Sequence, residues 1–313
     1  MPEYRFVDER TRQLTPAAET FSGLFNELHD GIGKLFLNSL RLHDGIAIHY
    51  SQASMQVHWL LDNVQNAREW MLHSGAERHS HFTGVRNSWT KLIEDLGLQY
   101  EFVGRGRIEE GKLATGQYRV FIMPQSLAVS VGEAMAIRQF VRAGGLLIAD
   151  CRTASMNEHG RDVGQGQLND VFGIQHVKGQ TRGQTAEGRA DEALLHLSGK
   201  QLHVVVGDET VGVTSGKPLA QSGSVPLVIV NDFGQGKAVF LNLEISSYAY
   251  ERLQPHSSTS LLNLLEGVLG LAQIEPRVRV MDANGKPFAG SRNCSICQWS
   301  LRTCGDPPES AIR

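Results

Sequence analysis

Residues 118–150 read YRVFIMPQSLAVSVGEAMAIRQFVRAGGLLIAD, and the succession of patterns in this stretch decides the fold. The run YRVFIMP (118–124) is apolar and β-prone, and Pro124 closes it because proline cannot donate to a strand ladder. Ser130 and Glu133 stand at the spacing of a capping box, which predicts a helix over Val131–Arg142. Gly144-Gly145 end that helix, and GLLIAD (145–150) follows as a nearly uniform apolar run, the pattern of a strand covered on both faces. Strand, helix and buried strand in this order form a βαβ unit, so the chain is expected to build a doubly wound α/β domain around a mostly parallel sheet.

The same alternation extends outward. GIAIHY (45–50) and LQYEFV (98–103) read as strands. Residues 54–73 and 82–96 read as helices between them, the second marked by Val85, Trp89, Leu92, Ile93 and Leu96 with Gly97 as its C-cap. Residues 175–224 are rich in Gly, Gln, Thr and Ser around the short β-like run LHVVVG (202–207), which predicts loops and edge strands. PLVIVNDFGQGKAVFLNLE (226–244) predicts a hairpin about Asp232-Phe233-Gly234-Gln235-Gly236, and residues 259–272 predict a buried helix, apolar nearly all round. Upstream, Phe21, Leu24, Phe25, Leu28, Ile32, Leu35, Phe36 and Leu40 recur at helical spacing and predict one amphipathic helix over 16–42 that needs a packed partner. Gly31 and Gly33 each cost about 1 kcal/mol relative to alanine in a helix, so a bend or a close backbone contact is expected there. After Pro276, VRVMDANGKPFAG predicts a strand, an Asn-Gly turn and a second strand. The remaining tail lacks either period and is expected to be disordered or foreign to the fold. The expected organisation is a connector helix over 1–43, the α/β domain over 44–275, and a truncated β module with its tail over 276–313.

Composition narrows the function. With 30 Lys+Arg against 33 Asp+Glu and a net charge of -3, the chain has no basic excess for nucleic acid. No apolar run approaches the roughly 18 residues of a membrane span, and MPEYRFVDERTRQLTP lacks the apolar core of a signal peptide, so neither membrane insertion nor export is expected. Four cysteines, three of them in the last twenty residues, do not form a disulfide framework, which makes a reducing, cytoplasmic compartment the default expectation.

Several segments together resemble a known family. They are the strand ending in Pro124, the helix running into Ala143-Gly144-Gly145, the Asp150-x-Arg152 strand end and the Asn157-Glu158-His159-Gly160 loop. To these are added QGQLNDVFGI (165–174) and the Gly234-x-Gly236-Lys237-Ala238 hairpin. Over about residues 30–275 the chain resembles the trimerisation domain of family 42 β-galactosidases. The resemblance implies a flavodoxin-like three-layer sandwich of the class I glutamine amidotransferase-like superfamily, acting in assembly beside a catalytic TIM barrel. Such a barrel needs about 250 residues, and neither 1–43 nor 276–313 can hold one. Its two catalytic glutamates are therefore expected outside this chain. The implied partners are other copies of the chain, as a trimer, and the barrel of a parent glycosidase. The chain itself is expected to be a non-catalytic fragment or relic of that enzyme.

Cys151 follows a parallel strand where amidotransferases place a nucleophile, so a small Cys-dependent hydrolase or amidotransferase is one alternative. Against it, the family elbow is G-x-C-x-G while Cys151 lies between Asp150 and Arg152, and the family's His-x-Glu corresponds here to Asn242-Leu243-Glu244, which lacks the base. The carboxyl ends of the strands should form a crevice bordered by Ser51, Gln125, Asp150, Arg152, Glu158, His159 and Glu244. A carbohydrate-binding module using this crevice is the second alternative. Asp150 and Arg152 are otherwise expected to pair with each other or with loop backbone. Arg152 with Glu158 also suits a subunit interface. His73, His79 and His81, and Cys294-x-x-Cys297 with Cys304, are each short of a complete metal site, so no metal and no cofactor are expected.

Overall fold

The computed structural model describes residues 6–8, 10–63, 81–176, 192–197, 200–205, 207–253, 260–276 and 299–301. The expected strand-turn-strand after Pro276, His73, His79, and the cysteines at 294, 297 and 304 lie outside the described residues. The chain divides into two compact units, residues 43–295 and residues 1–42 with 296–313.

The larger unit is built on a seven-stranded sheet. Its strands are β1 (Ile46–Tyr50), β2 (Tyr100–Gly104), β3 (Val120–Met123), β4 (Leu146–Asp150), β5 (Lys217–Ser222), β6 (Val225–Phe233) and β7 (Gly236–Leu241). They lie in the order β5-β6-β7-β4-β3-β1-β2. The five strands from β7 to β2 pair in parallel, with Val239 opposite Ile148 and Ile122 opposite both Ile148 and Ile48. The order β2-β1-β3-β4-β7 is the flavodoxin-like one. β6 runs antiparallel to both neighbours and carries the sheet outward to β5.

Four longer helices accompany the sheet: α1 (Gln52–Asn63), α2 (His81–Asp95), α3 (Val131–Arg142) and α4 (Ser260–Gly270). Because side chains alternate along a strand, each sheet face has its own core. Ile46, Ile48, Val120, Ile122 and Ile148 pack with Val85, Trp89, Leu92 and Ile93 of α2 and with Leu262, Leu265 and Leu269 of α4. Ala47, Phe121, Met123, Leu147 and Phe240 pack on the opposite face with Ile137, Phe140 and Val141 of α3 and with Phe172. The result is three layers, helix, sheet and helix.

Between β4 and β5 the region expected as loops and edge strands carries two small antiparallel pairs, Ile174–His176 with Val211–Val213 and Glu192–Leu197 with Lys200–Val205. The turn joining β6 and β7 packs against the end of α3. A Cβ at Gly236 would lie 2.3 Å from the carbonyl oxygens of both Gly145 and Val141, so only glycine fits.

In the smaller unit, the expected single helix is in three pieces. An α-helix at Pro16–Asn26, capped by Thr15, passes into a π-helical segment at Glu27–Ile32 and a short α-helix at Gly33–Leu37. The kink is at Gly31, and Gly33 approaches the Leu28 carbonyl so closely that a Cβ there would fall 1.8 Å from its oxygen. Helix gives way to the strand Ser39–Arg41, which pairs antiparallel with Trp299–Leu301. No helix among the described residues is long and apolar enough to cross a membrane.

Candidate functional site: the carboxyl ends of the parallel strands

In a doubly wound sheet the loops leaving β1 and β3 diverge to opposite faces and open a crevice at the strand ends. Here that place is filled by polar side chains. Ser51, directly after β1, is buried; its hydroxyl bonds Ser54 at 2.8 Å and donates to the Ala128 carbonyl at 3.1 Å. Gln125, directly after β3, is buried and held at a left-handed φ of +30°, a strained setting for a residue with a Cβ. Its carbonyl accepts a hydrogen bond from His58 Nε2 of α1 at 3.1 Å, and its backbone N–H donates to Asp150 Oδ1 at the end of β4.

Asp150 is fully buried, and its second carboxylate oxygen accepts from the indole N–H of Trp89 on α2 at 2.7 Å. Burial drives its pKa up to about 8, against the opposing pull of the Trp89 and Gln125 hydrogen bonds. The carboxyl therefore ties β3 to β4 and to α2, through loop backbone and an indole and not through Arg152. Arg152 stands at a left-handed φ of +65°, half-exposed, with no hydrogen bond or ion pair among the described residues. Ala154, at φ +58°, continues the strained run, and its N–H is held by the Ser126 carbonyl at 2.8 Å.

Cys151 is buried, and burial, followed by the neighbouring Asp150 charge, pushes its thiol far above the ordinary range. Its sulfur accepts a hydrogen bond from Gln125 Nε2 at 3.4 Å. Gly207 closes over it; a Cβ at 207 would fall 2.2 Å from the Cys151 Cβ. Asn242 is fully buried and holds that lid in place. Its Oδ1 accepts from the Asp208 N–H at 2.8 Å, and its Nδ2 donates to the carbonyls of Asp208 at 2.8 Å and Pro226 at 3.0 Å. The amide is thus a structural clamp. A nucleophile needs a thiolate, an adjacent base and an approach for substrate, and the geometry around Cys151 supplies none of these among the described residues.

The remaining candidates are spread along the rim. Glu244 follows β7 and accepts a hydrogen bond from the Ser246 hydroxyl at 3.1 Å, with His81 Nε2 3.5 Å away. His81 opens α2, and its backbone N–H donates to Asp62 Oδ2 at 3.0 Å. Burial raises the Asp62 carboxyl, with His81 pulling the other way. Glu158 is half-buried and His159 exposed, 3.8 Å apart in an ion-pair geometry. The structure thus gathers Ser51, Gln125, Asp150 and Cys151 into a closed interior and leaves Arg152, Glu158, His159 and Glu244 on its margin. The described residues contain no group of three or more His, Cys, Asp or Glu able to hold a metal ion.

Sequence reasoning missed His58 and Trp89. His58 is buried, stacks on Phe82 with centroids 5.0 Å apart, and burial drives its pKa down to about 4, with His81 and Arg152 adding to the fall against the Gln125 carbonyl. It is the neutral ring that holds the strained Gln125 peptide. Both residues sit on the apolar stripes of their helices, where nothing distinguishes a core aromatic from one carrying a hydrogen bond inward.

No match to the chain was found among curated protein sequences. Among solved structures it is similar to a catalytic mutant of a family 42 β-galactosidase from G. stearothermophilus, with TM-score 0.60, 15% identity, and coverage of 87% of this chain and 36% of that one. It is likewise similar to the β-galactosidase of Bacillus circulans sp. alkalophilus, with TM-score 0.58, 18% identity, and coverage of 88% and 37%. A third is the cold-adapted enzyme of Rahnella sp. R3, with TM-score 0.51, 18% identity, and coverage of 83% and 36%. At such identities the likeness is one of fold, and the chain spans little more than a third of each enzyme. In sequence, residues 59–268, which include the sheet from β2 to β7 with Gln125, Asp150 and Cys151 at its strand ends, match the β-galactosidase trimerisation domain, and the chain belongs to that family.

Proposed function

We propose that the chain is a non-catalytic assembly module of a β-galactosidase-type glycoside hydrolase, joining copies of itself into a trimer and standing beside a catalytic barrel that these 313 residues do not contain. The observation that carries this reading is the family match over residues 59–268. It is supported by a strand-end cysteine that is sealed, high in pKa and without a base. The two carboxylates of a retaining or inverting glycosidase must face each other across a sugar-sized gap of about 5–9.5 Å, and the buried carboxyl at the strand ends, Asp150, is spent on Trp89 and Gln125. Arg152, Glu158 and His159 form the accessible margin, and a contact with a neighbouring subunit or with the barrel falls there. The four cysteines of the chain suit a reducing compartment.

The test is the solution mass of the full chain by light scattering coupled to size exclusion over a hundredfold range of concentration, with a chromogenic galactoside assay on the same sample. The expected result is three times the 34.4 kDa chain mass and no turnover. A monomer at every concentration would overturn the assembly role. Turnover abolished by a point substitution within the chain would overturn the non-catalytic one.

A further inference from the structure

Beside the strand-end cluster lies a second polar set, sealed inside the fold. His49 of β1, Ser126 in the turn after β3 and Glu133 in the first turn of α3 are each 1–3% exposed. His49 Nε2 stands 3.0 Å from Glu133 Oε1, and its Nδ1 stands 2.9 Å from the Ser126 hydroxyl. Serine, imidazole and carboxylate in line have the order of a nucleophilic relay. Burial of all three leaves no approach for a substrate, so the set is not a catalytic one.

The chemistry of the partners fixes the direction of each hydrogen bond. Burial by itself would raise the Glu133 carboxyl, but His49 and Ser130 together hold it below its usual value, and the group is an acceptor only. His49 Nε2 therefore carries a hydrogen and donates it to Oε1, while Oε2 accepts the Ser130 N–H at 2.7 Å. In the neutral ring Nδ1 is then an acceptor, and the Ser126 hydroxyl gives it its hydrogen. The other acceptor within reach of that hydroxyl is the Pro124 carbonyl at 3.4 Å, the longer and weaker bond. Ser126 thus has two settings, chosen by which ring nitrogen holds the hydrogen, and Glu133 makes that choice. The turn it sits in is strained: Ser126 follows Gln125 at φ +30°, and its carbonyl holds the N–H of Ala154, at φ +58°, at 2.8 Å.

We infer that His49 is a conformational coupler: through its tautomer, the Glu133 carboxylate that caps α3 sets the Ser126 hydroxyl, and with it the strained turn between β3 and α3. The relay continues outward. The Ser130 hydroxyl accepts the Glu133 N–H at 3.1 Å and donates to Glu109 Oε1 at 2.6 Å, and Glu109 pairs with Arg105 at 3.0 Å on the surface of the short helix Arg105–Glu109. In a buried chain of hydrogen bonds each member polarises the next, so groups at its two ends respond to one another without contact. This inference is independent of the assembly reading.

The test is a double-mutant cycle on the full chain, read by urea unfolding of wild type, Ser126→Ala, Glu133→Gln and the double variant. Glutamine offers one accepting oxygen where Glu133 uses two, so it cannot serve both His49 and the Ser130 N–H. The folding constant of the double variant is expected to exceed the product of the two single effects by at least about threefold, because cutting the relay at either end already weakens the bond at the other. Single effects that simply multiply would overturn the coupling. Hydrogen exchange of Glu133→Gln covers the case in which the double variant does not fold. Exchange at the Ala154 amide should then rise at least about threefold more than exchange at the amides of α2. An equal rise at both places would overturn the inference.

Discussion

Asp150 and His58 have opposite acid-base consequences although both hold the backbone of Gln125, Asp150 at its N–H and His58 at its carbonyl. The Asp150 carboxyl titrates near 8 in the fold against an ordinary 3.8, so across that window the folded chain holds a proton that the unfolded chain releases. Its contribution to stability is complete in acid and falls as pH rises toward 8. His58 titrates near 4 against an ordinary 6.5; the folded chain holds fewer protons there, and its contribution is complete above 6.5 and lost as pH falls toward 4. The two slopes oppose each other below pH 6.5, and only that of Asp150 remains above it. Urea unfolding should therefore show wild type losing about 1–2 kcal/mol relative to Asp150→Asn between pH 6.5 and 8, from 1.36 kcal/mol per pKa unit. Parallel stability profiles for the two proteins would refute the assignment. The sequence pointed to Asp150 as a strand-end residue but could not name its partners. Trp89 lies 61 positions away, and a contact of that range is created by the packing of α2 on the sheet, which no local pattern encodes.

At the scale of elements, local chemistry was most legible where it is self-contained. The Ser130 hydroxyl accepts from the Glu133 N–H at 3.1 Å and the Glu133 carboxylate accepts from the Ser130 N–H at 2.7 Å, closing the capping box that the sequence spells out. Burial alone would raise the Glu133 carboxyl, but bonds and charge from His49 and Ser130 outweigh it and hold it below its usual value. Substituting Ser130→Ala should cost about 1 kcal/mol in thermal or urea unfolding, as for other helix caps. The strands from β1 to β4 and the β6–β7 hairpin could likewise be read from their apolar runs and turn residues. The helix over 16–37 was legible in period but not in detail, since the choice between one straight helix and a π-helical kink depends on how Gly33 meets the Leu28 carbonyl. The roles of Asn242 and Gly207 were the least legible. An asparagine at the place of a catalytic histidine signals a missing base, while its work as a clamp depends on a loop more than thirty residues upstream.

For the whole molecule, the proposed self-association would tie stability to concentration, because assembly draws the folded state forward by mass action. The Tm of the chain should rise with each tenfold increase in concentration, and a concentration-independent Tm would count against assembly. The strand order carries one more consequence, for synthesis. β4 lies between β3 and β7, and its residues pair with 237–241 on the later side. When the ribosome has delivered β4, about ninety residues separate it from that partner, some 5–20 s of elongation at ordinary rates of 5–20 residues per second. Through that interval a strand that ends up buried along its whole length keeps a bare edge, so the window for mispairing and for chaperone capture opens at Asp150 and closes only when Leu241 emerges.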